Sequence, residues 1–137
     1  MTLTAARAQL ALDLARRHAA TLDTAVAVSV VDDAGNLMCC SRTDGAAAEL
    51  LESATRTALG VARRMSGTTD GRGVEPAPGV TVDCGVVPAW TPHPADKPSA
   101  VGILAVATSV SGAGSRIVET VIDEIHRFDE RHRRNIS

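Results

Sequence analysis

The chain has 137 residues, of which 45% are hydrophobic and 22% are charged, and its formal net charge is −2. This length suits one domain with a core of its own, and we expect residues 1–137 to form it. The charge balance excludes the broad positive field of a nucleic-acid-binding protein, and the apolar runs fall far short of the roughly 20 residues that cross a membrane. The N-terminus lacks a signal-peptide pattern, so we expect a cytoplasmic protein.

The first half of the chain predicts a helix, a β-hairpin and a second helix. Thr4 is a candidate N-cap for the first helix, although Arg7 falls on the apolar stripe of that helix. Gly35 suits the positive φ that a tight reversal requires. The predicted bounds are Ala5–Ala20 for the helix, Ala25–Val31 and Leu37–Ser41 for the strands, and Ala46–Met65 for the second helix.

The second half predicts a loop, further strands and a last helix. Pro88 places its strand at an edge or a bulge of the sheet, because proline cannot donate to the ladder. The resulting order is α-β-β-α-β-β-α, an α+β sandwich with an antiparallel sheet of four or five strands. The predicted bounds are Ser66–Pro78 for the loop, Gly79–Asp83 and Gly85–Trp90 for short strands, Thr91–Pro98 for a Pro-rich loop, Ser99–Ser109 for a strand and Arg116–Arg133 for the last helix.

Two hairpin motifs carry a family resemblance. The first hairpin contains Val31-Asp32, Gly35-Asn36-Leu37 and Ser41-Arg42-Thr43-Asp44-Gly45-Ala46, and the second contains Gly85-Val86-Val87-Pro88-Ala89 and Val101-Gly102-Ile103-Leu104-Ala105-Val106. With these motifs the chain resembles the GlcG/HbpS-like family of small heme-binding domains, which includes the C-terminal domain of PduO-type proteins. The resemblance covers about Leu3 to Gly112.

The resemblance implies a profilin-like sandwich, assembly into homo-oligomers, and binding of heme or a related tetrapyrrole, sometimes with heme breakdown. This chain departs from the family in two places. A longer loop, His93–Pro98, replaces a short turn, and Ala105 and Thr108 stand where the family has glycines.

The candidate ligand-binding residues are Arg42, Asp44, Gly45, Trp90 and His18. Arg42 suits a ligand carboxylate, because its guanidinium can donate two parallel hydrogen bonds, or it orders the turn into the next helix by an ion pair. Trp90 is the only tryptophan, and it suits either a pocket wall or an interface. His18 is a candidate heme ligand or a surface cation near a helix C-terminus.

The candidate catalytic residues are His93, Asp96 and Lys97, which share the second hairpin tip. Histidine can act as an acid or base, and a lysine of lowered pKa can act as a base or form a Schiff base. A solvated loop tip is the alternative interpretation.

The sequence context of the remaining polar residues is less indicative of a functional role. Cys40 and Cys84 lack the surroundings of a catalytic cysteine, and we expect reduced thiols. Glu49 and Glu52 lie on one helical face, which is common without metal, so no metal site is predicted. His126 and His132 fall in a charged run of the last helix and are interpreted as solvated, and Ser111–Ser115 is interpreted as a helix-start turn rather than an anion site.

Two functions remain open, beside the weaker alternative of a structural or regulatory oligomer without a ligand. One is a cytoplasmic homo-oligomer that binds a tetrapyrrole or a similar planar carboxylate. The other is an enzyme without heme, an isomerase, cyclase or hydrolase of a specialised biosynthetic pathway, which uses His93, Asp96 and Lys97. Both functions have a small-molecule partner, and neither involves nucleic acid or a membrane.

Overall fold

The computed structural model describes residues 2–67, 76–93 and 95–136. Three helices and one antiparallel sheet follow each other in the predicted order α-β-β-α-β-β-α. Their bounds are Ala5–Thr21 (α1), Val26–Asp32 (β1), Leu37–Arg42 (β2), Ala48–Met65 (α2), Thr81–Pro88 (β3), Ala100–Thr108 (β4) and Ala113–Ile136 (α3). None of the helices in these residues is long and apolar enough to span a membrane.

The sheet has the strand order β2-β1-β4-β3. Its two central strands, β1 and β4, are buried along almost their whole length, because helices cover both faces of the sheet. Alternation within β1 divides the core in two. Val26, Val28 and Val30 pack under α1 and α3, whereas Ala27 and Val31 pack under α2.

The α2 layer is built from alanine on both sides. Ala54, Ala58 and Ala62 of α2 belong to the same buried cluster as Ala105 and Ala107 of β4. Such small side chains allow a helix to lie close to a sheet, and they leave little room for a ligand between the layers.

The turn between β1 and β2 is held by one carboxylate. The Oδ1 atom of Asp32 accepts hydrogen bonds from the backbone N–H groups of Ala34 and Asn36, at 3.0 and 2.8 Å. Gly35 has φ of +86°, as the sequence predicts for this reversal. The bonded turn fixes the register of the first hairpin.

The second half of the sheet differs from the prediction in one respect. The two short strands predicted at Gly79–Asp83 and Gly85–Trp90 form one strand, β3, which pairs with β4 without a break until Pro88, so the described residues contain no fifth strand. Pro88 lies at a register shift on an edge strand, which confirms the position predicted for it. Gly85 allows α3 to lie close to β3, since a Cβ atom there would stand 2.5 Å from Cγ1 of Val118.

Some predicted boundaries are wrong. The α2 helix begins at Ala48 rather than Ala46, because the intervening residues complete the turn after β2. The α3 helix begins at Ala113 and extends to Ile136, so it takes in part of the predicted Ser111–Ser115 turn. Most of the loop predicted at Ser66–Pro78, and Pro94 of the next loop, lie outside the described residues.

A buried ion pair joins α1, β3 and α3. The two terminal nitrogens of Arg7 donate to the two carboxylate oxygens of Asp129, at 2.9 and 2.6 Å, and its Nε donates to the carbonyl of Pro88 at 2.7 Å. The two side chains are only 10% and 5% exposed. The side chain of Arg7 thus binds β3 and α3 to α1, which explains why a charged residue interrupts the apolar stripe of α1.

We expect Asp129→Ala to lower the free energy of unfolding by about 3 kcal/mol, since it leaves a buried guanidinium without its counter-ion. Urea denaturation measures the change. The matched control is Glu52→Ala, which removes an ion pair with Arg56 whose side chains are 68% and 59% exposed. That control should change stability by less than about 1 kcal/mol, and equal losses in the two variants would contradict a structural role for the buried pair.

Candidate functional site

An apolar groove lies on the surface between α1 and α3, next to the end of β3. Its volume is 480 Å³, within the range of about 300–1,000 Å³ typical of small-molecule sites. We call it the α1–α3 groove. It is lined by Thr4, Ala6, Arg7, Leu10, Trp90, Phe128, Asp129 and His132.

Both aromatic residues of the chain contribute to this groove. The sequence contains one tryptophan, one phenylalanine and no tyrosine, and Trp90 and Phe128 line the same cavity. The ring of His132 lies between them, 4.8 Å from Trp90 and 6.4 Å from Phe128 by centroid distance. The guanidinium group of Arg133 lies over the Trp90 ring, with its carbon atom 5.6 Å from the ring centroid. The three rings therefore form one wall.

The charges in the groove lining neutralise each other. Arg7 and Asp129 are the charged residues of this lining, and they form the bidentate pair described above. Because both groups are already satisfied, the groove presents mainly hydrocarbon and aromatic surface to a ligand. The imidazole of His132 adds a polar ring to the wall of the groove.

A second cavity continues from the groove along the same pair of helices. It has a volume of 360 Å³ and shares Leu10 and Phe128 with the groove. We call it the arginine cavity, because the rest of its lining is rich in arginine. The remaining lining residues are Leu14, Arg17, Glu124, Arg127 and Arg131.

The predicted ligand residues of the first hairpin lie elsewhere. Asp44 lines a cleft of 690 Å³ between the end of α1 and the residues after β2. The exposed Arg42 donates to the carbonyl of Ala46 at 3.2 Å and forms no ion pair with Asp44 in the described structure, so its hydrogen bond orders the turn. Gly45 has φ of +84°, with open space where a Cβ atom would be.

Strand register separates Arg42 from Trp90. Arg42 is paired through Ala27 with Ala107 of β4, whereas Pro88, two residues before Trp90, is paired with Ala100. At about 3.3 Å per residue, these positions on β4 are roughly 23 Å apart. The structure therefore does not bring the two ends of the sheet into one site within a single chain.

The predicted catalytic residues share a surface loop. The side chains of His93, Asp96 and Lys97 are all exposed, and none of them has a hydrogen-bond partner within the described ranges. The loop's backbone is closed by a bond from the Asp96 N–H to the His93 carbonyl at 3.1 Å. A general base is normally oriented by a second group, which this arrangement does not supply.

The predicted heme ligand His18 lies at the far end of the α1–α3 contact. Its Nε2 is 3.0 Å from Oε1 of Glu124, with both side chains partly exposed. His126 is exposed as predicted, whereas His132, although also exposed, packs against two rings and is more than a solvated residue. The described residues contain no cluster of His, Cys, Asp and Glu that could hold a metal ion.

Most residues of the groove were not predicted from the sequence. Asp129 and His132 lie in the charged run of the last helix and Phe128 ends its apolar stripe, and the sequence pattern does not show which element packs against these residues. Two signals pointed there. One was Arg7 on an apolar stripe, which requires a buried counter-ion, and the other was the rarity of aromatic residues.

The three cysteines occupy different environments. Cys39 packs against the α1–α3 side of the core and Cys40 is exposed, as their adjacent positions on a strand predict. Burial raises the pKa of the Cys84 thiol to about 11, with a further upward contribution from Asp83 and an opposing one from Arg64. Cys84 is thus held as the thiol, which favours an inert role.

Comparison with known proteins gives a family and a fold. Residues 3–115 match the model of the HbpS-like family, described as Haem degrading protein HbpS-like. No match is found among curated proteins. The match to the family model confirms the resemblance that the two hairpin motifs indicated.

Solved structures share the architecture. Klebsiella pneumoniae protein ORFY, of family DUF336, is 17% identical over 92% of each chain, with a TM-score of 0.64. The PduOC:Heme complex is 18% identical over 90% of this chain and 94% of the other, with a TM-score of 0.62. HbpS is 25% identical over 88% of each chain, with a TM-score of 0.58. The α+β fold predicted from the sequence is confirmed.

We expect Cys84 to be modified slowly by iodoacetamide at pH 8, because a pKa of about 11 leaves about one thiol in a thousand ionised at that pH. In a Cys39→Ser/Cys40→Ser variant, the rate should rise about tenfold per pH unit up to pH 9.5 without a plateau. A Cys39→Ser/Cys84→Ser variant, which retains the exposed Cys40, is the control and should react faster at pH 8. A plateau below pH 9 for Cys84 would instead indicate an activated nucleophile.

Proposed function

The chain belongs to the HbpS-like family, and on this premise we propose that it binds a planar tetrapyrrole of the heme class in the α1–α3 groove. The main support is that the only tryptophan and the only phenylalanine converge on one apolar cavity. Aromatic side chains bind flat conjugated molecules through offset or edge-to-face contacts, which add to the hydrophobic gain of burial.

The groove has the chemistry that such a ring requires. Its volume and mainly apolar lining suit the body of the ligand, and the Arg7–Asp129 pair presents no unsatisfied charge to it. In this chain Trp90 and Phe128 would contact the ring, and His132 offers an imidazole, a residue type that binds heme iron. The likeness to PduOC, solved as a heme complex, supports the same ligand class.

The roles predicted for Arg42, Asp44, Gly45 and His18 stay predictions. Because Arg42 lies about 23 Å along the sheet from the end of β3, it can contact only a ligand that is bound at the other end of the molecule. The enzyme alternative based on His93, Asp96 and Lys97, and assembly into homo-oligomers, also stay predictions.

Titration with hemin should give a saturable shift of the Soret band together with quenching of Trp90 fluorescence. We expect Phe128→Ala to raise the dissociation constant about tenfold, since it removes one of the three rings that form the wall of the groove. Phe128 is 44% exposed, so the fold should tolerate the change.

The control is Leu37→Ala, which removes an apolar side chain of similar exposure, 46%, on β2 and away from the groove. Its hemin affinity should equal that of the wild type. Absence of a saturable Soret shift in the wild type would refute heme binding. A Phe128→Ala variant with unchanged affinity would place the ligand outside the groove.

A further inference from the structure

Three arginines from two helices meet at the arginine cavity. Arg17 comes from α1, and Arg127 and Arg131 come from α3. Within residues 2–67, 76–93 and 95–136, none of these guanidinium groups has a hydrogen-bond or ion-pair partner. Some other arginine side chains have a partner, as Arg7 has in Asp129 and Arg56 has in Glu52, whereas those of Arg16 and Arg116 have none within the same residues but do not line this cavity.

The positive charge of this cavity is poorly balanced. Arg127 and Arg131 are four residues apart on one helix, a spacing at which like charges repel and destabilise the helix. Glu124 is the one carboxylate in the described lining, and it already contacts Nε2 of His18 at 3.0 Å. All three arginine side chains are exposed, so water solvates them in the free protein and their donors are available to an anionic ligand.

The position of the cavity suggests which anion it takes. It shares Leu10 and Phe128 with the α1–α3 groove, so the two spaces adjoin each other along the contact of α1 and α3. The groove is apolar and the cavity is cationic, which matches a ligand with a flat apolar body and acidic groups at one edge. Guanidinium groups are well suited to carboxylates, because they donate two parallel hydrogen bonds.

We propose that Arg17, Arg127 and Arg131 bind the carboxylates of the tetrapyrrole whose ring occupies the α1–α3 groove, and that they make the protein selective for the free acid. This inference rests on the proposed function, but it gives a binding role to the arginine cavity, which lies beside the groove. Arg127 and Arg131 lie beyond residues 3–115, the segment matched to the family, so this selectivity would belong to the C-terminal part of the chain.

The test compares protoporphyrin IX with its dimethyl ester, which retains the ring and lacks both acidic groups. Dissociation constants come from quenching of Trp90 fluorescence in one buffer that dissolves both compounds. We expect the wild type to bind the free acid at least about tenfold more tightly than the ester, as charge-assisted hydrogen bonds would give. Added salt should weaken binding of the acid alone.

An Arg127→Gln/Arg131→Gln variant should lose this preference and bind the ester as the wild type does. The control, Arg56→Gln/Arg116→Gln, removes the same charge from exposed helix positions outside both cavities and should retain the preference. Equal affinity of the wild type for acid and ester, or equal losses for both ligands in the Arg127→Gln/Arg131→Gln variant, would overturn the inference and leave the proposed function standing. If the wild type binds neither porphyrin, both proposals fail.

Discussion

The bidentate pair between Arg7 and Asp129 is the interaction on which the site depends. Three elements meet at it, since Arg7 also donates to the carbonyl of Pro88 at the end of β3. The pair sets the separation of α1 and α3, and it holds Phe128 and His132 of α3 in one wall with Trp90, which follows β3. Because both charges are satisfied internally, the same residues that fix this geometry leave the groove apolar.

The two faces of the sheet serve different purposes. The α2 face is packed with alanine, which brings the helix close to the sheet and leaves little space between them. The other face carries two helices of unequal length, and the surface seam between them contains both the aromatic groove and the arginine cavity. This seam is the surface that we propose for a flat ligand with an apolar body and acidic edge groups.

The fold was largely predictable from local patterns, whereas the site was not. The strand β1, the turn chemistry at Gly35 and the edge position of Pro88 follow from local patterns, and all three were predicted correctly. The groove combines residues that lie far apart in the sequence, as Arg7 and Asp129 do, and no short-range pattern pairs them. The unbroken β3 was missed because Gly85 signals a strand end locally, yet here it makes room for Val118 of α3.

A crystal structure of the protein bound to protoporphyrin IX would locate the ligand. Electron density for the ring is expected in the α1–α3 groove, against the wall of Trp90, His132 and Phe128, with the two carboxylates directed toward Arg127 and Arg131. Density for the ring at the far end of the sheet, beside Arg42 and Asp44, with the α1–α3 groove empty, would contradict the proposed site.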